Sequence, residues 1–378
     1  MIIFFACILI FCGVILGILA LYPYFYYMVK IYRLPKNPHT IPPLQIYPRI
    51  SIVVNAYKEG ELIRIRLQDI LNAEYPKEKM SVYLVNDGDD EETGKVVQEF
   101  FQNNSSIHLS VFSPKVRLGK TVCQNSMLSR IPDELVIFTD ADITTKPDAL
   151  AKLVGRLQDP EVGAVCADLI PVGSSREVTG SEGAYRSVYG KMCEYDSQTD
   201  ATYNFNGPLI AFKKSAVPHI EETIGADDAN LALTCIANGY RAVYASDAVA
   251  YELQPVSFRA QYRQKVRRAD GLVNSTRLFG SAYHEKRNRF WKQIFPRRRW
   301  MLLYSPILFV ISAALILAGC FLWSVWCGAA VLLAGSAVLL FSVIKPDNLL
   351  SSFVLNQLYL LIGLVKRKNI QQWDRVEK

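Results

Sequence analysis

Apolar residues gather in long unbroken runs at both ends of this chain, while the centre alternates short apolar runs with segments of mixed character. Residues 1–29 contain no charged side chain, enough length for a helix to cross a bilayer, and Tyr22, Tyr24, Tyr26 and Tyr27 resemble an aromatic belt at its end. With neither a positive leading region nor a small-residue cleavage site, the run reads as a spanning helix rather than a removable leader. Lys30, Arg33 and Lys36 open a linker over 30–49 and, by the positive-inside bias, place the amino terminus outside and the centre in the cytoplasm. Residues 301–345 hold two further runs of spanning length, broken only at Ser324, and predict a transmembrane hairpin. A third stretch, 349–365, is shorter and carries Ser351, Ser352, Asn356 and Gln357. If it spanned, Lys366-Arg367-Lys368 in the tail (366–378) would lie outside, against the charge bias, so it reads as re-entrant or interfacial, with spanning as the alternative.

Between the apolar ends the period changes. Ile50–Val54, Ser81–Val85, Ile107–Phe112 and Leu135–Thr139 are short runs rich in β-branched and apolar residues, each read as a strand, the first and fourth as buried ones. Helical patterns separate them, over Leu62–Asn72 and from Gly119 to Ser129. Strands spaced by helices predict an α/β domain with a mainly parallel sheet covered on both faces. The first, second and fourth strands deliver polar residues to one edge: Asn55-Ala56-Tyr57, Asp87 and Asp140-Ala141-Asp142. Ligands of open α/β sheets bind at that edge, and two carboxylates one residue apart suit a hard divalent cation that also holds a diphosphate. For an isolated Asp-x-Asp, a solvated turn is the competing reading, as is a turn for Asn86-Asp87-Gly88-Asp89-Asp90.

Composition narrows the classes. The chain has 378 residues, 51% of them hydrophobic, and a formal net charge of +7. Its basic residues collect beside the apolar ends, at Lys286, Arg287, Arg289, Lys292 and Arg297–Arg299, where topology and anionic lipid account for them without nucleic acid. The region 256–300 is accordingly expected to form basic interfacial helices. None of the eight cysteines forms a Cys-x-x-Cys pair, which fits reduced thiols rather than a zinc site or disulfide framework. Neither a Gly-x-Gly-x-x-Gly nor a P-loop pattern occurs, so dinucleotide and P-loop folds lack support.

Five motifs now stand in order: Val54-Asn55-Ala56-Tyr57-Lys58-Glu59, Val85-Asn86-Asp87-Gly88, Leu118-Gly119-Lys120 with Asn125, Asp140-Ala141-Asp142, and Gly225-Ala226-Asp227-Asp228. Together they resemble a membrane-bound family 2 glycosyltransferase of the hyaluronan, chitin and cellulose synthase branch. The resemblance implies a glycosyltransferase A-type catalytic domain over 50–255 and a metal-dependent hexosyltransferase using a nucleotide-sugar, a UDP-sugar, with Mg²⁺ or Mn²⁺. Asp142 would hold the metal, and Asp140 would share it or take the ribose hydroxyls. Asp87 would meet the base, and Asn55, Ala56, Tyr57, Glu59, Gly119 and Lys120 complete the donor site. Of the adjacent acids at a helix start, Asp228 would be the general base and Asp227 structural or on the acceptor; helix capping is the competing reading. Asn206-Gly207-Pro208 resembles an acceptor floor.

Gln264, Arg267 and Arg268 resemble the Gln-x-x-Arg-Trp signature, in which arginine forks suit a diphosphate. A basic interfacial helix is the alternative. Arg268 stands where polymerising members have tryptophan, and a charged side chain offers no equivalent stacking face. Three functions therefore remain: an inverting transferase acting on a glycan or lipid-linked acceptor at the membrane, a processive synthase that extrudes its polymer, or a non-catalytic membrane scaffold. The sequence leaves the oligomeric state open.

Overall fold

The structure is a computed structural model that describes residues 1–35, 41–104, 107–172, 176–253, 258–280, 288–345 and 348–365. Lys36, Lys286, Arg287 and the Lys366-Arg367-Lys368 cluster lie outside the described residues. Helix α1 (Ile2–Tyr32) precedes an alternating region: β1 (Ile50–Ala56), α2 (Leu62–Leu71), β2 (Met80–Asn86), α3 (Glu91–Gln102), β3 (His108–Phe112), α4 (Lys120–Leu128), β4 (Leu135–Asp140), β5 (Ile143–Thr145) and α5 (Ala149–Leu157). Then follow β6 (Val162–Val172), α6 (Arg176–Thr199), β7 (Leu209–Lys213), α7 (Asp227–Ala237), β8 (Arg241–Leu253) and α8 (Phe258–Leu278). The chain continues as α9 (Phe290–Trp323), α10 (Val325–Ile344) and α11 (Leu349–Val365).

The strands form one mixed sheet of order β3-β2-β1-β4-β7-β6-β8-β5. As the sequence predicts, β1 pairs in parallel with β2 and β4, and β2 with β3. Strand β7 runs antiparallel to both β4 and β6, an inversion that no local pattern announces. Period-two alternation splits the core between the two faces. Ile52, Val54 and Ile137 pack with α2, α3 and α5 on one side, while Val53, Val136 and Phe138 face α4 and α7 on the other.

That second core layer extends into the apolar helices. Phe290, Trp291 and Phe295 at the start of α9, and Leu355, Tyr359 and Leu360 of α11, are buried in the same cluster as the sheet residues. Burial of a phenylalanine contributes roughly 1.5–3 kcal/mol, enough for three neighbouring aromatics to hold the two parts together. Helices α1 and α9 pack along their length, where Ser312 Oγ donates to Gly13 O (2.7 Å) and Ser305 Oγ to Ala20 O (2.8 Å). By length and composition α1, α9 and α10 could each cross a membrane.

Two features differ from the sequence reading. The helix Phe290–Trp323 is continuous, so the expected boundary at residue 300, between a basic element and the first hairpin helix, falls inside one helix. Within the Arg297–Arg299 run, Arg298 is not at the surface. It is 1% exposed and its guanidinium pairs with the fully buried Asp196 of α6, to which Tyr27 of α1 also donates a 2.8 Å hydrogen bond. One carboxylate thus ties three helices. The third apolar stretch is the 17-residue helix α11, which packs against α8 with Gly363 close to the Asp270 backbone.

Candidate active site

The parallel strands end side by side. Register aligns Asn55 with Asp140 and Ala56 with Asn86, so the polar residues after β1, β2 and β4 meet at one edge. They line a cavity of about 290 Å³. Of the residues singled out in the sequence, Asn55, Ala56, Tyr57, Glu59, Asp87, Gly119, Lys120, Asp140, Asp142, Gly207, Pro208, Asp227, Asp228, Gln264, Arg267 and Arg268 all line it. Asn206 instead lines an adjoining cavity and donates to Ala167 O (3.0 Å).

Asp87 has a visible structural task. Its two carboxylate oxygens accept the backbone N–H groups of Leu118 (2.7 Å) and Gly119 (2.9 Å), fixing the loop that delivers Lys120 to the start of α4. Lys120 Nζ lies 2.7 Å from Asp140 and 3.1 Å from Asp227, bridging the end of β4 to the start of α7. Burial opposes its charge, yet the two carboxylates together hold the ammonium well above the ordinary lysine range. The Asp140 N–H donates to Pro208 O (3.0 Å), which brings the loop before β7 against the acidic pair.

The adjacent acids are driven in opposite directions. Burial alone would raise Asp227, but Lys120 outweighs it and keeps this carboxyl below the usual range. Asp228, half-buried, is pushed up to about 7 by desolvation and by the neighbouring Asp227 charge. Environments that separate the pKa values of two neighbouring carboxyls equip one as a fixed charge and the other as a proton acceptor near neutrality. The turn that carries them needs glycine at 225: its φ is +93°, and a Cβ there would stand 2.4 Å from Ser275 Oγ. Ser275 of α8 accepts from the Ala226 N–H (3.0 Å) and donates to Asn230 (2.7 Å), locking α7 to α8.

Several site residues escaped the sequence reading. Arg117 stacks on the Tyr57 ring at 3.8 Å and shares the cavity; its place beside Leu118-Gly119-Lys120 is a usable signal. Glu252 of β8 pairs with Arg268 (3.3 Å) and lies opposite Ile143 in the β5–β8 ladder, next to Asp142. Nothing local marks Glu252, because a sheet pairing with Ile143, far away along the chain, places it there. Among the described residues no set of three or more His, Cys, Asp or Glu could by itself hold a metal. The donor chemistry nevertheless fits Mg²⁺ or Mn²⁺, since such ions are commonly bound by one or two carboxylates together with substrate phosphates, and Asp140 and Asp142 line the cavity together.

The family described as Glycosyltransferase like family 2 matches residues 48–271. The chain belongs to this family. It is 25% identical over 241 residues to the probable glycosyltransferase YdaM of Bacillus subtilis (strain 168), covering 59% of this chain and 55% of that protein. It is also 25% identical over 256 residues to a poly-beta-1,6-N-acetyl-D-glucosamine synthase of Staphylococcus aureus (strain COL), covering 66% of this chain and 60% of the synthase. The matches thus span less than two thirds of either relative. Among solved structures, the mannosyltransferase PcManGT from Pyrobaculum calidifontis, in complex with GDP-Man and Mn²⁺, is 27% identical with a TM-score of 0.78, over 94% of this chain and 98% of that one. The family 2 chain therefore has a glycosyltransferase A-like fold with apolar helices at both ends.

Proposed function

We propose that this family 2 glycosyltransferase moves one sugar, with inversion, from a nucleotide-sugar to a hydroxyl of a glycan or lipid-linked acceptor at a membrane. The observation that carries the reading is the position of Asp228: it lines both the polar cavity at the strand ends and the adjoining cavity toward the apolar helices. A base so placed can meet an acceptor entering from one side and a donor held on the other. In the displacement, the acceptor oxygen bonds to the anomeric carbon, and the bond from that carbon to the diphosphate breaks with its electron pair on the leaving group. The acceptor proton passes to Asp228.

Arg267 and Lys120, with the first-turn amides of α4, supply positive charge for the diphosphate. Tyr57, clamped by Arg117, offers a flat face beside Asp87 for the base. Asp142, with Asp140, would hold the divalent ion, which when bound stabilises the charge on the departing diphosphate. The positive-inside bias of Lys30 and Arg33 supports a catalytic domain on the cytoplasmic side of the cell membrane, and the length and apolar character of α1, α9 and α10 support their spanning, with α11 at the interface against α8. The deciding experiment is nucleoside diphosphate release by the purified full chain in detergent, over a panel of UDP- and GDP-sugars with and without Mn²⁺. Release with at least one donor is expected; failure to bind or cleave every donor would remove the transferase reading and favour a scaffold.

A further inference from the structure

A second cavity, of about 400 Å³, lies between the catalytic domain and the apolar helices. Met28, Met192, Leu272, Leu302, Phe353 and Leu360 are among its walls, contributed by α1, α6, α8, α9 and α11. Gly207, Pro208, Ala226, Asp228 and Arg268 line this chamber and the donor cavity alike, so the two spaces meet at the proposed base. Polar side chains, among them Tyr24, Tyr189, Asn206 and Asn356, are set into these walls, but against the aliphatic stretches a polysaccharide strand would lose hydration of its hydroxyls without regaining hydrogen bonds. A hydrocarbon chain loses nothing comparable and buries apolar surface.

The polar atoms of the chamber are specific in sign. Lys265, Arg268 and Arg298 contribute three cationic side chains, against one carboxylate, Asp228, among its described lining residues. Arg268 pairs with Glu252, which lines the donor cavity, and Arg298 with Asp196; neither acid is among the residues lining the chamber. Asn204, only 5% exposed, also lines it, and its Oδ1 has no hydrogen-bond partner among the described residues. An apolar pocket with cations and one orphaned acceptor beside the base suits an anionic group bearing a free hydroxyl at the end of a greasy chain.

We propose that the acceptor is a membrane lipid with a phosphate between its apolar chain and a hydroxyl-bearing headgroup. The chain occupies the chamber, the phosphate lies against Arg268 and Lys265, and the hydroxyl reaches Asp228. This rests on the transferase reading above and names its acceptor class. The bonds are those already given: the headgroup oxygen joins the anomeric carbon, the nucleoside diphosphate leaves with the electron pair, and Asp228 receives the proton. One sugar is added per lipid, and the product departs sideways into the bilayer.

The test uses the purified full chain in maltoside detergent and two photoactivatable probes with a diazirine in identical acyl chains, phosphatidylglycerol and diacylglycerol. Cross-linked peptides are mapped by mass spectrometry. The expected result is labelling of chamber residues on α6, α9 and α11, with phosphatidylglycerol exceeding diacylglycerol by about tenfold, the effect of one charge-assisted hydrogen bond. Soluble glycerol phosphate should not displace the probe, and Arg268→Gln should bring phosphatidylglycerol down to the diacylglycerol level. Equal labelling by the two probes in the wild-type chain overturns the phosphate claim, and so does displacement by glycerol phosphate alone overturn the requirement for a chain. Labelling confined to outward-facing residues such as Phe4, Leu333 and Ile344 overturns the chamber. Nucleoside diphosphate binding by the same preparation is read separately. Its loss with chamber labelling intact strikes the transferase reading, whereas its presence without chamber labelling strikes this inference alone.

Discussion

Asp228→Asn is the substitution with the sharpest expected consequence. Asparagine preserves the size of the side chain, and its amide oxygen can still accept the Ala229 N–H that Asp228 accepts at 2.7 Å. The fold should therefore survive with a stability change under about 1 kcal/mol. What disappears is the basic lone pair, and loss of a positioned general base costs typically 10²–10⁴-fold in turnover, about 3–5 kcal/mol of barrier. The wild-type carboxyl supplies a second signature. Burial, then the neighbouring Asp227 charge, push it up to about 7, and only its ionised form can take a proton. Turnover should fall about tenfold per pH unit below that value, level off above it, and rise roughly tenfold between pH 6 and pH 8. Initial rates of sugar transfer across pH measure this, with calorimetric titration of the nucleotide in parallel. The nucleotide Kd of the variant should stay within about twofold of wild type, since the lost group acts on the acceptor. Wild-type turnover in the asparagine variant, or a profile flat from pH 6 to 8, would refute the assignment.

Three further outcomes follow from the geometry. Asp142→Asn should weaken nucleotide-sugar binding about tenfold or more in Mn²⁺ and leave affinity in chelator unchanged, read by calorimetry in the two buffers. Gly207→Ala would set a methyl 3.2 Å from Asp228 Oδ2, closer than ordinary contact, and so displace the carboxylate; turnover should fall by roughly 10²-fold with thermal unfolding unchanged. Asp196→Ala strands the buried Arg298 charge and should destabilise the chain by about 3–5 kcal/mol, visible as a lowered unfolding temperature in detergent.

Strands β1, β2 and β4 were legible because buried parallel strands are continuous apolar runs, and Ile50–Val54 or Leu135–Thr139 can hardly be anything else between helical periods; β3, at the sheet edge, is exposed or half-buried. Strands β6 and β8, 11 and 13 residues long, were not: polar residues such as Asp168 and Asp247 interrupt their apolar pattern. Arg298 shows the same limit for charge. Arg297-Arg298-Arg299 reads as a uniformly solvated run, and only Asp196, 102 positions away, makes the middle arginine a buried tie.

The sequence by itself determined the elements and the chemical inventory: apolar ends, alternating centre, and carboxylates and cations at the ends of strands and the starts of helices. Those are local properties, written in period and residue type. The tertiary structure alone decided that Lys120 stands between Asp140 and Asp227, that Asp228 rather than Asp227 titrates near neutrality, and that the polar cavity opens onto an apolar chamber beneath α11. Each of these depends on distances between segments far apart along the chain, where burial and Coulomb interactions are set by packing.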